Sequence, residues 1–150
     1  MKSVSYTLWL LIALAITGTA WPADPKSRTI ATITKNLQLV EHDGARQILY
    51  KGTSIYEGSP ELTVYYVFPQ QEQSTILLRD FTGPIHCPVR FTFLVVPPNG
   101  PRRVSPPFGH CSDKPELVVD NGEISVHFQA FGPQPAAVWH FDGHDLTIEK

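Results

Sequence analysis

An all-β chain, folded as a single antiparallel sandwich or partly open barrel of hairpins and held by one disulfide, is what the amino-acid sequence predicts. Three observations carry that prediction. Apolar residues recur with a period of two or in runs of four to eight, turn residues punctuate the chain about every ten positions, and the two cysteines form an isolated pair. No stretch beyond residue 20 keeps a helical apolar stripe for three turns, apart from a weak one over residues 35–50.

At 150 residues the chain has room for one domain and little more. With 42% hydrophobic and 17% charged residues it is too apolar for a disordered protein, and 14 prolines with 10 glycines show no collagen period. Twelve basic against 14 acidic residues leave a net charge of −2, which supplies no electrostatic footprint for nucleic acid.

Residues 1–20 read as a signal peptide. Lys2 is the only charge before Asp24, Leu8–Ile16 is uninterruptedly apolar, and Thr17-Gly18-Thr19-Ala20 offers small residues for cleavage after Ala20. Nine apolar residues fall well short of the roughly 20 needed to cross a bilayer. Residues 21–150 then form a single exported all-β domain. No other segment is long enough to span a membrane, and no Asn-x-Ser/Thr acceptor occurs, which favours the periplasm over a eukaryotic secretory route.

Taken in order, Trp21–Ser27 is an extended polar leader. Ile30–Ile33, Leu37–Val40 and Gln47–Tyr50 are strands, the last two joined through His42-Asp43-Gly44. Leu62–Phe68 is a stronger strand, rich in β-branched and aromatic residues and ended by Pro69, and Ile76–Leu78 and Val89–Val96 follow. Cys87 and Cys111, in an oxidising compartment, read as a disulfide closing a loop that contains Pro97-Pro98-Asn99-Gly100-Pro101-Arg102-Arg103 and Pro106-Pro107. Such a segment makes few backbone hydrogen bonds, and a crosslink at its ends compensates.

The last 35 residues permit a register. Asn121-Gly122 and Asp142-Gly143 occupy the two-residue position of type I′ hairpins, with a longer turn at Gly132–Pro135. Residue 119 then faces 124, residue 131 faces 136, and residue 141 faces 144, so that Phe128 opposes Trp139. One face carries Leu117, Val119, Ile124, Val126, Phe128, Ala130, Ala137, Trp139, Phe141, Leu146 and Ile148, all apolar. On the other, Glu116, His127, His140 and Asp145 form one row across four strands. Cross-strand neighbours lie about 5 Å apart, so this row is either a solvated polar ladder or a site where imidazoles hold zinc or copper.

A second histidine set arises from the repeated dipeptides His86-Cys87 and His110-Cys111, which a bridge would draw together near Asp113. The catalytic inventory is otherwise poor. There is no Gly-x-Ser-x-Gly elbow, His-Glu-x-x-His, phosphate loop or calcium loop, so no catalytic residue is assigned and no resident cofactor is expected. Surface contacts suit binding better. Arg102 and Arg103 sit on a stiff proline-rich loop, and Tyr50, Tyr56, Tyr65 and Tyr66 supply either core edge or amphipathic contact area.

At Cys87-Pro88-Val89-Arg90-Phe91 and Phe108-Gly109-His110-Cys111-Ser112-Asp113, the chain resembles a group of small exported proteins of Gram-negative bacteria. These show Cys-Pro before an aromatic strand, then Phe-Gly-x-Cys-Ser-Asp. The resemblance spans residues 74–150, implies periplasmic export and a disulfide, and carries over no functional residue. Function is therefore expected to be non-enzymatic binding of another exported protein, as in an inhibitor or immunity protein. The alternatives are a metal- or small-ligand-binding module built on the histidines, and a hydrolase.

Overall fold

The computed structural model describes residues 27–69, 73–109 and 111–149, so the segment expected to be a signal peptide, with its expected cleavage site, lies outside the described residues. Three two-residue turns place both central residues in the left-handed region, as type I′ hairpins require. They are Asp43-Gly44 (φ 49° and 82°), Lys51-Gly52 (49° and 81°) and Asn121-Gly122 (49° and 86°). Around such turns the chain folds into meanders, with every strand pairing antiparallel to its sequence neighbour within a sheet.

The first sheet contains β1 (Ser27–Thr34), β2 (Leu37–His42), β3 (Ala45–Tyr50) and β4 (Thr53–Gly58). The second contains β5 (Thr63–Pro69), β6 (Ser74–Asp80), β7 (Arg90–Val96) and the two-residue β8 (Arg103–Val104). The third contains β9 (Glu116–Asp120), β10 (Glu123–Phe128), β11 (Ala137–Phe141) and β12 (Leu146–Glu149). The described residues contain no helix.

The all-β expectation thus stands, but as three sheets rather than one sandwich of two. The physical reason lies in β6 and β7. Ile76-Leu77-Leu78 and Phe93-Leu94-Val95-Val96 are apolar at both parities of the strand, so both faces of the middle sheet must be covered. Leu77, Phe91, Phe93 and Val95 pack with Ile124, Val126, Phe128 and Phe141 of the third sheet. Ile76, Leu78, Leu94 and Val96 pack with Leu37, Leu39, Ile48 and Ile55 of the first. The first of these cores is aromatic. Phe93 stacks on Phe141 with centroids 4.2 Å apart and planes 6° from parallel, and on Phe108 at 5.4 Å.

The carboxy-terminal meander keeps its predicted face and loses its predicted partners. Val119 faces Ile124, as expected from Asn121-Gly122. Phe128, however, faces Ala137, while Trp139 faces Val126, and Phe141 faces Leu146. Two turns explain the shifts. Gly132-Pro133 is a tight pair closed by mutual Phe131–Gln134 hydrogen bonds of 3.1 and 3.0 Å, with Gly132 at φ 57°. Asp142 does not adopt a left-handed conformation. Its side-chain oxygen instead accepts the His144 and Asp145 amides at 2.8 and 2.7 Å, making an Asx turn that lengthens the loop. Each shift is two residues, an even number, so side chains stay on their predicted faces. Leu117, Trp139 and Leu146 pack against the aromatic core, whereas Val119 and Ile148 remain exposed at the margins.

The proline-rich stretch does not simply project. Ser105 N–H donates to the Phe93 carbonyl (2.9 Å), and Phe93 N–H donates to the Ser105 hydroxyl (2.9 Å). Phe91 and Phe108 exchange two more bonds of 2.7 and 2.9 Å. A hydroxyl stands in for a ladder carbonyl, which lets a strand flanked by prolines close the β7 edge.

Candidate functional site: the crosslinked loop and its pocket

The loop between β6 and β7 is ordered by its own chemistry. Cys87 N–H donates to the Pro84 carbonyl (2.8 Å), leaving Ile85 and His86 as the central residues of a turn. Gly83 N–H donates to the Pro88 carbonyl (2.7 Å). A side chain at residue 83 would place its Cβ 2.0 Å from the Cys87 carbonyl oxygen, so only glycine fits. The predicted disulfide is present: Cys87 is bonded to Cys111, with Cα atoms 4.4 Å apart.

The strand that follows the bridge is anchored as well. The Tyr65 hydroxyl donates to the Pro115 carbonyl (3.1 Å). Arg79, packed over the Tyr65 and Phe81 rings, donates to the Asp113 carbonyl at 3.5 Å. Burial holds the Tyr65 phenol above its usual pKa of 10.0, against the lowering pull of the Arg79 charge.

Between the bridge and the third sheet lies a pocket of about 170 Å³. The disulfide, Pro84, His86, Arg90, Gly109 and Gln134 line it. Ligand pockets for cofactors and drug-sized molecules run to about 300–1,000 Å³, so this one suits a small ion or a single side chain. Two exposed apolar residues belong to the turns that line it. Ile85, between Pro84 and His86, is 101% exposed relative to a free residue, and Phe131, on the turn carrying Gln134, is 53% exposed. Of the histidine pair proposed for this neighbourhood, His86 is exposed and lines the pocket, while His110 lies outside the described residues.

The histidine row on the third sheet is not formed, because the turns shift its register. His127 faces Glu116 as expected, but its other neighbour is Val138, not His140. His140 lies between Ser125 and Thr147, and Asp145 belongs to the Asx turn outside β12. His140 makes a different cluster on the outer face. Its Nδ1 is 3.0 Å from both Ser125 Oγ and Glu123 Oε1, and its Nε2 is 3.6 Å from Glu149 Oε2. The carboxylates address opposite nitrogens of one ring, so they do not converge on a common ion. Among the described residues no group of three or more His, Cys, Asp or Glu side chains is arranged to hold a metal.

The arginine pair divides. Arg102 is exposed, whereas Arg103 is half-buried and donates to the Gly143 carbonyl (3.1 Å) and to Gln73 Oε1 (3.5 Å), tying the middle sheet to the Asx turn. A further polar centre escaped the sequence reading. Asp80, only 5% exposed, accepts the Ser59 amide (3.1 Å), the Ser59 hydroxyl and the Phe81 amide (2.9 Å). It fixes the corner after β4. Nearby Tyr56 is held above its usual pKa of 10.0, chiefly by burial.

No family model matches the chain, and no curated protein matches it. Among solved structures, the chain is similar to a subtype N11 neuraminidase-like protein of A/flat-faced bat/Peru/033/2010 (H18N11). Identity is 14% and the TM-score 0.46, over 76% of this chain and 35% of that one. The chain thus spans about a third of that protein's length, and a likeness at this level decides neither fold nor activity.

Proposed function

We propose that the chain is a non-enzymatic binding protein, exported to the periplasm, whose partner is another exported protein, as for an inhibitor or an immunity protein. The observation that carries this reading is Ile85, an apolar side chain in full contact with water on a turn held by two hydrogen bonds and a disulfide. An isolated exposed isoleucine on a mobile loop would need no explanation. Here the backbone beneath it is already constrained, so little ordering entropy is lost on docking. Arg90 and His86 line the pocket beside it, exposed Phe131 sits on the turn that carries the lining residue Gln134, and aromatic and arginine residues dominate the energetics of protein interfaces.

The test is affinity purification from periplasmic extract with the wild type and with Ile85→Asp. A stoichiometric partner should be recovered by the wild type only, and the two purified proteins should bind in calorimetry with at least tenfold loss for Ile85→Asp. Recovery of no stoichiometric partner, or equal binding by the variant, refutes the reading.

A further inference from the structure

Resting on that reading, we propose that the pocket beside the disulfide is a carboxylate-binding subsite, and that its occupant is an Asp or Glu side chain of the protein partner docked over Ile85.

The starting point is Arg90. It is half-buried and lines the pocket, and its guanidinium makes no hydrogen bond or ion pair with a described residue. A guanidinium carries five N–H donors in a fixed planar fork, and those of Arg90 are not among the buried unpartnered groups, so they are open to a ligand. The register sets Asp80 directly across from Arg90, which would ordinarily supply the counter-charge. Asp80 is engaged elsewhere, by Ser59 and the Phe81 amide. The arginine is thus left with its charge and its planar fork uncommitted, and a carboxylate fits that fork with two parallel hydrogen bonds.

The rest of the wall agrees in sign. His86 and Gln134 add donor groups, and among the described residues that line the pocket none is Asp or Glu. A cation is therefore disfavoured next to Arg90. Phosphate shares the recognition chemistry, but Ile85 and Phe131, exposed on the turns that carry Pro84, His86 and Gln134 of the lining, are better covered by a protein surface than by a free anion in water.

The experiment is an NMR titration of the disulfide-intact protein at fixed pH and ionic strength. Four probes are used: acetate, inorganic phosphate, the peptide acetyl-Leu-Glu-Leu-amide and its Gln twin. The glutamate peptide should shift the Arg90 Nε–Hε and Gln134 side-chain amide signals saturably, at least tenfold more tightly than the other three. Arg90→Gln should abolish the response. Arg90→Lys should weaken it, because it keeps the charge and loses the fork.

Equal binding of acetate or phosphate would make this a free-anion site and overturn the proposed occupant. Equal binding of the Gln twin, or an unchanged response in Arg90→Gln, would overturn the carboxylate chemistry. Should Arg90→Gln lose the native spectrum, Gln134→Leu takes its place, with weakened binding expected and unchanged binding counting against the site. Ile85→Asp separates the two readings. If it abolishes partner binding while Arg90 senses no carboxylate, only this inference falls; if Arg90 binds the peptide and Ile85 is irrelevant to the partner, only the docking role falls.

Discussion

Replacing Phe93 by Ala tests whether the three sheets are one cooperative structure. Phe93 is fully buried, stacked on Phe141 and Phe108, and its neighbour Leu94 points into the other core. Truncating such a phenylalanine costs about 3–5 kcal/mol, of a total that for a domain is about 5–15 kcal/mol. With a urea slope of about 2 kcal/mol/M, the midpoint should fall by about 2 M. Because β7 contributes alternate residues to both cores, the loss must be felt on both sides. With Trp9 and Trp21 replaced by Phe, Trp139 fluorescence reports the third sheet, and pulsed hydrogen exchange at β2 and β3 reports the first. Both transitions should move together. If the Trp139 transition falls by about 2 M while protection of β2 and β3 keeps its midpoint, the shared middle sheet does not couple the layers and the reasoning fails.

Four further outcomes follow from single interactions. Cys87→Ser with Cys111→Ser removes a bridge of sequence separation 24, worth about 3 kcal/mol in the chain-entropy model, measurable as a lower urea midpoint. Lys51→Asn relieves a left-handed lysine at φ 49° and should gain about 0.5–1 kcal/mol, seen as a higher Tm. The His144 and Asp145 amides hold the Asp142 carboxyl below its usual value of 3.8, so its contribution is present above that value and lost as pH falls through the lower folded one. The Tm difference between wild type and Asp142→Ala should accordingly shrink below about pH 4. Tyr56 has the opposite sign: its pKa is raised, so stability is retained below about 10 and lost as pH climbs past it, and Tyr56→Phe should flatten that alkaline slope.

Strand positions were legible wherever pattern and turn chemistry coincided, and illegible wherever a side chain did a backbone's task. Ile30–Ile33, Leu37–Val40, Gln47–Tyr50 and Leu62–Phe68 all fall within or against strands of the structure. The strand Thr53–Gly58 was missed because Lys51-Gly52 carries no Asn or Asp to announce a type I′ turn. The register errors at Phe128 and Phe141 arose from the Gly132-Pro133 pair and the Asx turn at Asp142, where local geometry chose the loop length. The third layer had a visible signal, since Ile76-Leu77-Leu78 is apolar on consecutive positions, but a short apolar run does not say how many sheets will cover it. Arg90 had none. Its isolation depends on Ser59, 31 positions earlier in the chain, engaging the aspartate opposite.

The division of labour among the three sheets narrows where recognition can occur. Both faces of the middle sheet are consumed in packing, and its β7 edge is closed by Ser105 and Phe108. Besides its β5 edge, where Tyr66 is exposed, the middle sheet presents its connections to solvent, and the Asp80-to-Arg90 connection carries Cys87 of the disulfide. Its outward residue Ile85 is apolar, and Arg90 at its end lines the pocket without a hydrogen bond or ion pair to a described residue. A purely structural crosslink would stabilise equally well with a polar residue at the tip of the turn, because Ile85 contributes no buried area to the fold. Ile85→Ser should therefore leave the unfolding free energy read from urea titration within about 0.5 kcal/mol of wild type while reducing partner affinity. A drop well beyond that would mean Ile85 stabilises the fold after all, and the binding role would lose its principal support.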